Sequence, residues 1–225
     1  QLDGSLEIIT DKTQYQTKTI ILALGTERRK INVPGEMKLL GKGVSYCATC
    51  DAMFFKNKTV AIIGGGDAAF QAASQLAEIC KKVYMIFIEN VPLAMPHWQK
   101  QVKQYGSKVE QINSNTITSI NGKMAVESVT LKKSHQNKTE ILVDGVFIEI
   151  GAIPNSAIIK SLEVATNDRH FIEVSPNQET NIAGVFAAGD ITTGSAGFQQ
   201  VITAASEGAI AALTAFKYLK KINNN

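Results

Sequence analysis

Short continuous apolar runs alternate with segments of helical spacing, and that order predicts most of the elements. Ser5–Thr10 and Thr17–Leu24 (TKTIILAL) read as strands, the second apolar enough for burial on both faces and ending in Gly25-Thr26. Glu27–Gly43, with Pro34-Gly35, reads as a connector. Thr59–Ile63 (TVAII) is a strand running straight into Gly64-Gly65-Gly66. Asp67–Cys80 places Ala69, Phe70, Ala73, Leu76 and Ala77 on one stripe and is expected to be a helix. Val83–Ile88 (VYMIFI) then closes a β-α-β unit of about 30 residues.

Further along, Val91–Trp98 carries two prolines and reads as irregular, with a short helix expected at Gln99–Tyr105. Val109–Ile112, Thr116–Ile120, Ala125–Lys132 and Glu140–Ile150 read as short, mostly antiparallel strands, with Asn121-Gly122 marking a hairpin. Gly151–Asn155 (GAIPN) is a hinge-like break. Strands are expected at Phe171–Val174 and Gly184–Ala187, followed by a glycine-rich loop and an alanine-rich helix at Gln199–Leu219. The connector and the break divide the strands into two groups. The expected domains are therefore residues 27–151 and, together, 1–26 and 152–225.

Composition narrows the class. The chain has 225 residues, 44% hydrophobic and 19% charged, which suits a globular α/β protein with a sizeable core. A net charge of +3, from 23 basic and 20 acidic residues, argues against a nucleic-acid partner. No apolar run approaches the ~18–20 residues that cross a bilayer, so no membrane partner is expected. The opening QLDGSLEIITDK lacks the features of a signal peptide, and three cysteines are too few for a secreted scaffold. A cytoplasmic protein is expected. The chain opens at Gln1 with a strand already under way, which reads as the loss of an N-terminal part.

Cys47-Ala48-Thr49-Cys50-Asp51 carries the sharpest chemistry. Two intervening residues suit a small disulfide ring or half of a zinc site, and two buried structural thiols are the bland alternative. Zinc needs two more ligands, whereas Cys80 stands alone and His97, His135 and His170 are scattered; no metal is expected and redox chemistry is favoured. A C-x-x-C thiol with a lowered pKa supplies the thiolate that attacks a disulfide, and Asp51 is placed to hold or deliver the proton.

Gly64-Gly65-Gly66-Asp67-Ala68-Ala69 fits G-x-G-x-x-A between a strand and a helix, where backbone N–H groups meet a pyrophosphate. Glycine used merely for packing in a tight turn is the alternative. At the end of the second strand an arginine favours a ribose 2′-phosphate and an acid a free hydroxyl. Here the residues are Phe87-Ile88-Glu89-Asn90, so Glu89 is either a ribose ligand or an exposed strand-end carboxylate. Val185–Asp190 (VFAAGD), followed by Gln199-Gln200 and a helix, puts a carboxylate and a helix N-terminus where a flavin could use both; an ordinary strand-turn is the alternative.

Taken in order, the strand ending Ala-Leu-Gly-Thr, then CATCD, GGGDAA, GAIPN and VFAAGD, closely resembles the low-molecular-weight thioredoxin reductase family of flavoprotein disulfide reductases. The likeness runs from about Thr17 to Leu219. It implies two Rossmann-like three-layer nucleotide-binding domains, an FAD domain made discontinuous by a pyridine-nucleotide domain that carries the cysteines. Nothing like the family's first G-x-G-x-x-G unit precedes Ser5, so the resemblance implies an FAD domain lacking that N-terminal unit. It further implies that Cys50 faces the flavin, Cys47 exchanges with the substrate disulfide and Asp51 transfers the proton. Gly64 to Ala69 would hold the nucleotide; Gly25, Thr26, Gly189, Asp190, Gln199, Gln200 and Val201 would contact FAD. The implied cofactors are FAD and NADPH or NADH, and the implied partners a thioredoxin-like protein and a second copy in a homodimer. The family's H-R-R pattern at the ribose is replaced by Phe87-Ile88-Glu89, which turns the expectation toward NADH or another donor such as reduced ferredoxin. A non-catalytic nucleotide-binding fragment and a zinc-binding interaction domain are the readings from other classes.

Overall fold

The computed structural model describes residues 5–154 and 157–224; Asn155, the last residue of the expected break, lies outside them. The chain divides into two compact units, Gln1–Glu27 with Ala152–Asn225, and Arg28–Gly151.

The first unit opens with β1 (Leu6–Ile9) and β2 (Gln14–Thr17), an antiparallel hairpin pairing Leu6 with Thr17 and Ile9 with Gln14. The expected strand Thr17–Leu24 is divided: Thr17 closes β2, and β3 covers only Ile20–Leu22. The Thr17 hydroxyl donates to the Thr19 carbonyl and accepts from the Thr19 N–H, a local turn that redirects the chain. Nor is the run buried on both faces, because Ile21 is 39% exposed beside Leu22 at 4%. β4 (Thr26–Arg28) then leads out of this unit.

The second unit contains β5 (Val44–Ser45), α1 (Ala48–Asp51), a 3-10 turn at Ala52–Phe55, β6 (Thr59–Ile63), α2 (Asp67–Ile79) and β7 (Lys82–Ile86). α3 (Pro96–Lys103), β8 (Val109–Ile112), β9 (Ile117–Asn121), β10 (Ser128–His135), β11 (Lys138–Leu142) and β12 (Gly145–Ile148) complete it. A parallel sheet runs in the order β5-β12-β6-β7-β8. Period-two alternation sends its side chains to two cores. Val60, Ile62, Val83, Met85 and Phe147 meet Phe70, Ala73, Leu76 and Ala77 of α2. Ala61, Ile63, Ile86, Val146 and Ile148 face the antiparallel sheet β11-β10-β9 through Ile117, Ile120, Val129 and Leu131. Each such large apolar side chain contributes about 1.5–3 kcal/mol by burial. The result is a three-layer arrangement with the parallel sheet in the middle.

Two expectations change here. Glu140–Ile150 is not one strand: β11 and β12 lie in different sheets. At the break, the Asp144 N–H donates to the Thr59 carbonyl at 2.7 Å and its Oδ2 accepts the Thr59 N–H at 2.8 Å, which steers the chain onto β6. The helix expected from Gln99 starts three residues earlier, because Pro96 occupies its first turn with φ already set. The Asn121-Gly122 hairpin forms, with Asn121 opposite Ser128 and Ile120 opposite Val129.

The chain re-enters the first unit through β13 (Ala152–Pro154), paired with β4, and continues as α4 (Ala157–Leu162), β14 (Val185–Ala187) and α5 (Val201–Asn223). β14 pairs in parallel with β3, Val185 opposite Ile20. Phe186 and Ala188 pack on Ala211 and Ala215 of α5; Val185 and Ala187 join Leu6, Leu22, Ile172 and Ile191 in a separate core. Phe171–Val174 is not a strand; Ile172 makes only isolated bridges to Thr166 and Thr192 while its side chain is fully buried. No helix among the described residues is long and apolar enough to cross a membrane.

Candidate active site

β5 delivers Cys47 in an extended conformation to the start of α1, and Cys47 and Cys50 are joined as a disulfide with Cα atoms 5.3 Å apart. The remaining cysteine, Cys80, is buried, and desolvation pushes its thiol up to about 11. No group of three or more metal-ligating side chains occurs among the described residues. Cys47 is half-buried and Cys50 exposed. The Cys50 N–H donates to Cys47 Sγ at 3.2 Å, an interaction that favours a thiolate on Cys47 when the pair is reduced.

Asp51 is held from below. The Ser45 hydroxyl, 5% exposed, donates to Asp51 Oδ2 at 2.6 Å, and the Cys47 N–H donates to Ser45 Oγ at 3.0 Å. One buried serine therefore fixes the carboxylate and the first cysteine together. Beyond them Met53 and Phe54 stand 68% and 73% exposed on the 3-10 turn, an apolar surface beside the disulfide.

Two more carboxylates support this segment. Glu36, 1% exposed, accepts the Ile31 and Asn32 N–H groups and the Tyr46 hydroxyl, the last at 2.6 Å. Burial, the hydrogen bond and the charge of Glu36 push the Tyr46 phenol well above its usual range. The expected connector is thus anchored to the residue before Cys47. Glu149, just past β12, accepts the Ala48 N–H on Oε1 at 3.3 Å. Burial pushes its carboxyl upward, opposed by that hydrogen bond and by Arg28.

The glycine loop is built for close approach. Gly64 has φ of +140°, and a Cβ there would sit 2.3 Å from the Glu149 carbonyl oxygen. The Gly65 carbonyl accepts N–H groups from Leu93 and Ala94, and Asp67 Oδ1 accepts the Met95 N–H at 2.7 Å, so residues 93–95 are tied to the loop. Gly66 caps α2 with open space where a side chain would be. Asp67, Ala68 and Ala69 form the first turn, whose N–H groups have no intrahelical acceptor. Glu89 lies alongside: a Cβ on Gly65 would meet Glu89 Oε2 and Phe87 Cβ at 3.0 Å. Ile88 is 72% exposed, and no Lys or Arg occurs between Lys82 and Lys100.

In the other unit, Gly25 (φ +62°) precedes Thr26 at the start of β4, and Gly189 (φ +81°) follows β14. Glu207 of α5, 5% exposed, accepts the Gly189 N–H at 2.7 Å and the hydroxyls of Thr192 and Ser195. Asp190 is half-buried; its backbone carbonyl accepts Gln199 Nε2 at 3.0 Å, and its carboxylate has no hydrogen bond among the described residues. Gln200 caps α5 through a reciprocal pair with Thr203, and Val201 in the first turn is 88% exposed. The Asp190 carboxylate and the N-terminus of α5 could meet the hydroxyls and the electron-rich edge of a flavin. Ser45, Glu36, Glu149 and Glu207 were not among the candidates drawn from the sequence.

Nucleotide-type loop and disulfide occupy one unit, a combination that comparison with known proteins explains. Residues 3–208 match the Pyridine nucleotide-disulphide oxidoreductase family, and the chain belongs to it. Within that class it is a member of the thioredoxin reductase family. It is 38% identical over 227 residues to a thioredoxin reductase of Peptoclostridium acidaminophilum, covering 97% of this chain and 71% of that protein. It is also 38% identical to one of Treponema pallidum, covering 99% and 71%. The crystal structure of thioredoxin reductase from Streptococcus pyogenes MGAS5005 covers 97% of this chain and 71% of that one, with a TM-score of 0.86 and 31% identity. The chain is an oxidoreductase of a family that works with FAD and a nicotinamide nucleotide.

Proposed function

We propose that this chain passes electrons from a reduced nicotinamide nucleotide, by way of FAD, to the Cys47–Cys50 disulfide and on to the disulfide of a thioredoxin-like protein. The observation that carries this reading is the formed disulfide with Asp51 held beside it by Ser45 at 2.6 Å, in the same unit as the glycine loop. Arg28–Gly151 is then the pyridine-nucleotide domain, and the other unit the FAD-type domain.

Each residue has a defined task. The N–H groups of Gly64 to Ala69 hold the nucleotide pyrophosphate, with Gly66 leaving the approach open. Glu89 accepts hydrogen bonds from ribose hydroxyls, which favours NADH over NADPH. Asp190 accepts from the flavin's ribityl chain, and Gly25, Thr26, Gly189, Gln199, Gln200 and Val201 complete that site. FAD, when bound, supplies a carrier that takes a hydride and releases an electron pair. Cys50 would take that pair as the Cys47–Cys50 bond breaks and frees a thiolate on Cys47. Cys47 would then attack one sulfur of the partner disulfide, and Asp51 would give a proton to the other sulfur as it departs. Met53 and Phe54 offer the apolar contact for the partner. A homodimer in the cytoplasm completes the proposal.

Anaerobic titration of the purified protein in the presence of FAD tests it. The flavin band should bleach with NADH and, less readily, NADPH. Bleaching by dithionite alone would point to a redox-protein donor such as ferredoxin; failure to hold flavin at all would overturn the FAD step.

A further inference from the structure

Glu149 touches both motifs of the second unit. Its carbonyl oxygen occupies the space that a Gly64 side chain would need, and its carboxylate accepts the first amide of the helix between the cysteines. It follows Ile148 of β12, so a rigid parallel strand sets its position and its N–H donates to Ile63 at 2.9 Å. We propose that Glu149 is a positioning residue that sets how readily Cys47 ionises, by holding a carboxylate against the Ala48 amide; this rests on the redox role proposed for the pair.

Cys47 and Glu149 are served by neighbouring donors, the Cys50 and Ala48 amides of one short helix. When the disulfide is reduced, a thiolate on Cys47 has the Cys50 N–H within reach, but the neighbouring Ala48 N–H is already taken by Glu149. The carboxylate thus holds a like charge on the amide next to the thiolate. That charge raises the thiol pKa. Other charges bear on the balance: Arg28 favours the ionised form of Glu149, Asp51 lies on α1, and Asp67 and Glu89 flank the glycine loop. Burial works the other way, so Glu149 takes up a proton at higher pH than an ordinary carboxyl and relieves the repulsion as it does. Thiol and carboxyl then titrate as a coupled pair.

The test is the pH profile of Cys47 alkylation by iodoacetamide, read by mass spectrometry on protein reduced with dithiothreitol and desalted. Glu149→Gln keeps the hydrogen-bond acceptor and loses the charge; its profile should move to lower pH by about one unit, which is up to ~10-fold faster alkylation on the acid side. Glu149→Asp keeps the charge and should track the wild type. Buried Cys80 staying unlabelled shows that each variant is folded. The wild type needs no variant: its profile should be broader than a single ionisation. Coincident wild-type and Glu149→Gln profiles, or a single-group curve in the wild type, would overturn the assignment. If air oxidation never joins Cys47 and Cys50, it is the redox reading itself that fails.

Discussion

Glu89 lies against the glycine loop: a side-chain carbon placed on Gly65 would be 3.0 Å from Glu89 Oε2. Position, not only residue type, therefore suits this carboxylate to a ribose on the loop, and it would repel a 2′-phosphate. A charged hydrogen bond of ~1.5–3 kcal/mol corresponds to roughly 10- to 150-fold discrimination. NADH should bind more tightly than NADPH by at least tenfold at equal salt, measured by calorimetry. Replacing Ile88 and Glu89 both by Arg should reverse the order. Tighter NADPH binding by the unaltered protein would refute the assignment.

Asp51 depends on Ser45. Asp51→Asn should slow protonation of the leaving sulfur and cut the rate of exchange with an alkyl disulfide such as oxidised glutathione, whose basic thiolate needs that proton, by roughly 10²-fold, at the low end for a positioned acid. Ser45→Ala frees the carboxylate without removing it and should cost less, about tenfold. Equal rates in all three proteins, measured by stopped flow on the reduced chain, would leave Asp51 without a role.

Glu207 is the acceptor for three donors in the loop after β14. Glu207→Ala would leave the Gly189 N–H and two hydroxyls without that partner, at about 3 kcal/mol of stability. Chemical denaturation should show the midpoint falling; a change under 0.5 kcal/mol would mean that water replaces the carboxylate at no cost.

How much of this was legible in the sequence depends on where each partner lies. The β6–glycine–α2–β7 run was legible because period, length and glycines all agree within about 30 residues. The Cys47–Cys50 disulfide was legible from the two-residue spacing together with the scatter of every other metal-ligating residue, with Asp51 adjacent to it. Glu149 could not: its donor, the Ala48 N–H, is 101 residues away, and one carboxylate within VFIEI gives only a hint. Glu207 in an alanine-rich helix gives the same hint, a charge where the neighbours are apolar. Ser45 and Glu36 give none, since a lone serine or an acidic residue in a connector normally faces water. The divided strands at Thr17–Leu24 and Glu140–Ile150 were misread for a related reason. Their breaks come from the Thr17 hydroxyl and from Asp144 bonding Thr59, which apolar content does not register.

The edge strand β8 carries the pH-sensitive pair. Glu110 accepts from Lys82 at 2.7 Å and also lies 2.8 Å from His135 Nε2. The Lys82 hydrogen bond, foremost, and His135 hold the Glu110 carboxyl below its usual range despite burial. A depressed carboxyl stabilises the fold above its unfolded pKa and loses that contribution as pH falls through the folded value. Lys82→Met should therefore cost up to about 1 kcal/mol at pH 7 and progressively less below about pH 4, in urea unfolding at matched salt. A cost that grows on acidification would contradict the pairing.

The central claim is that Cys47 and Cys50 hand electrons to another disulfide, and trapping the exchange tests it most directly. Cys50→Ser and Cys47→Ser proteins, reduced and mixed with an oxidised thioredoxin, are separated without reductant and weighed by intact mass. The account predicts a mixed disulfide through Cys47 in the Cys50→Ser protein and markedly less in the Cys47→Ser protein. The reduced wild type should convert thioredoxin to its dithiol while its own pair closes. No adduct with either variant, and a wild-type pair that stays reduced beside oxidised thioredoxin, would contradict it.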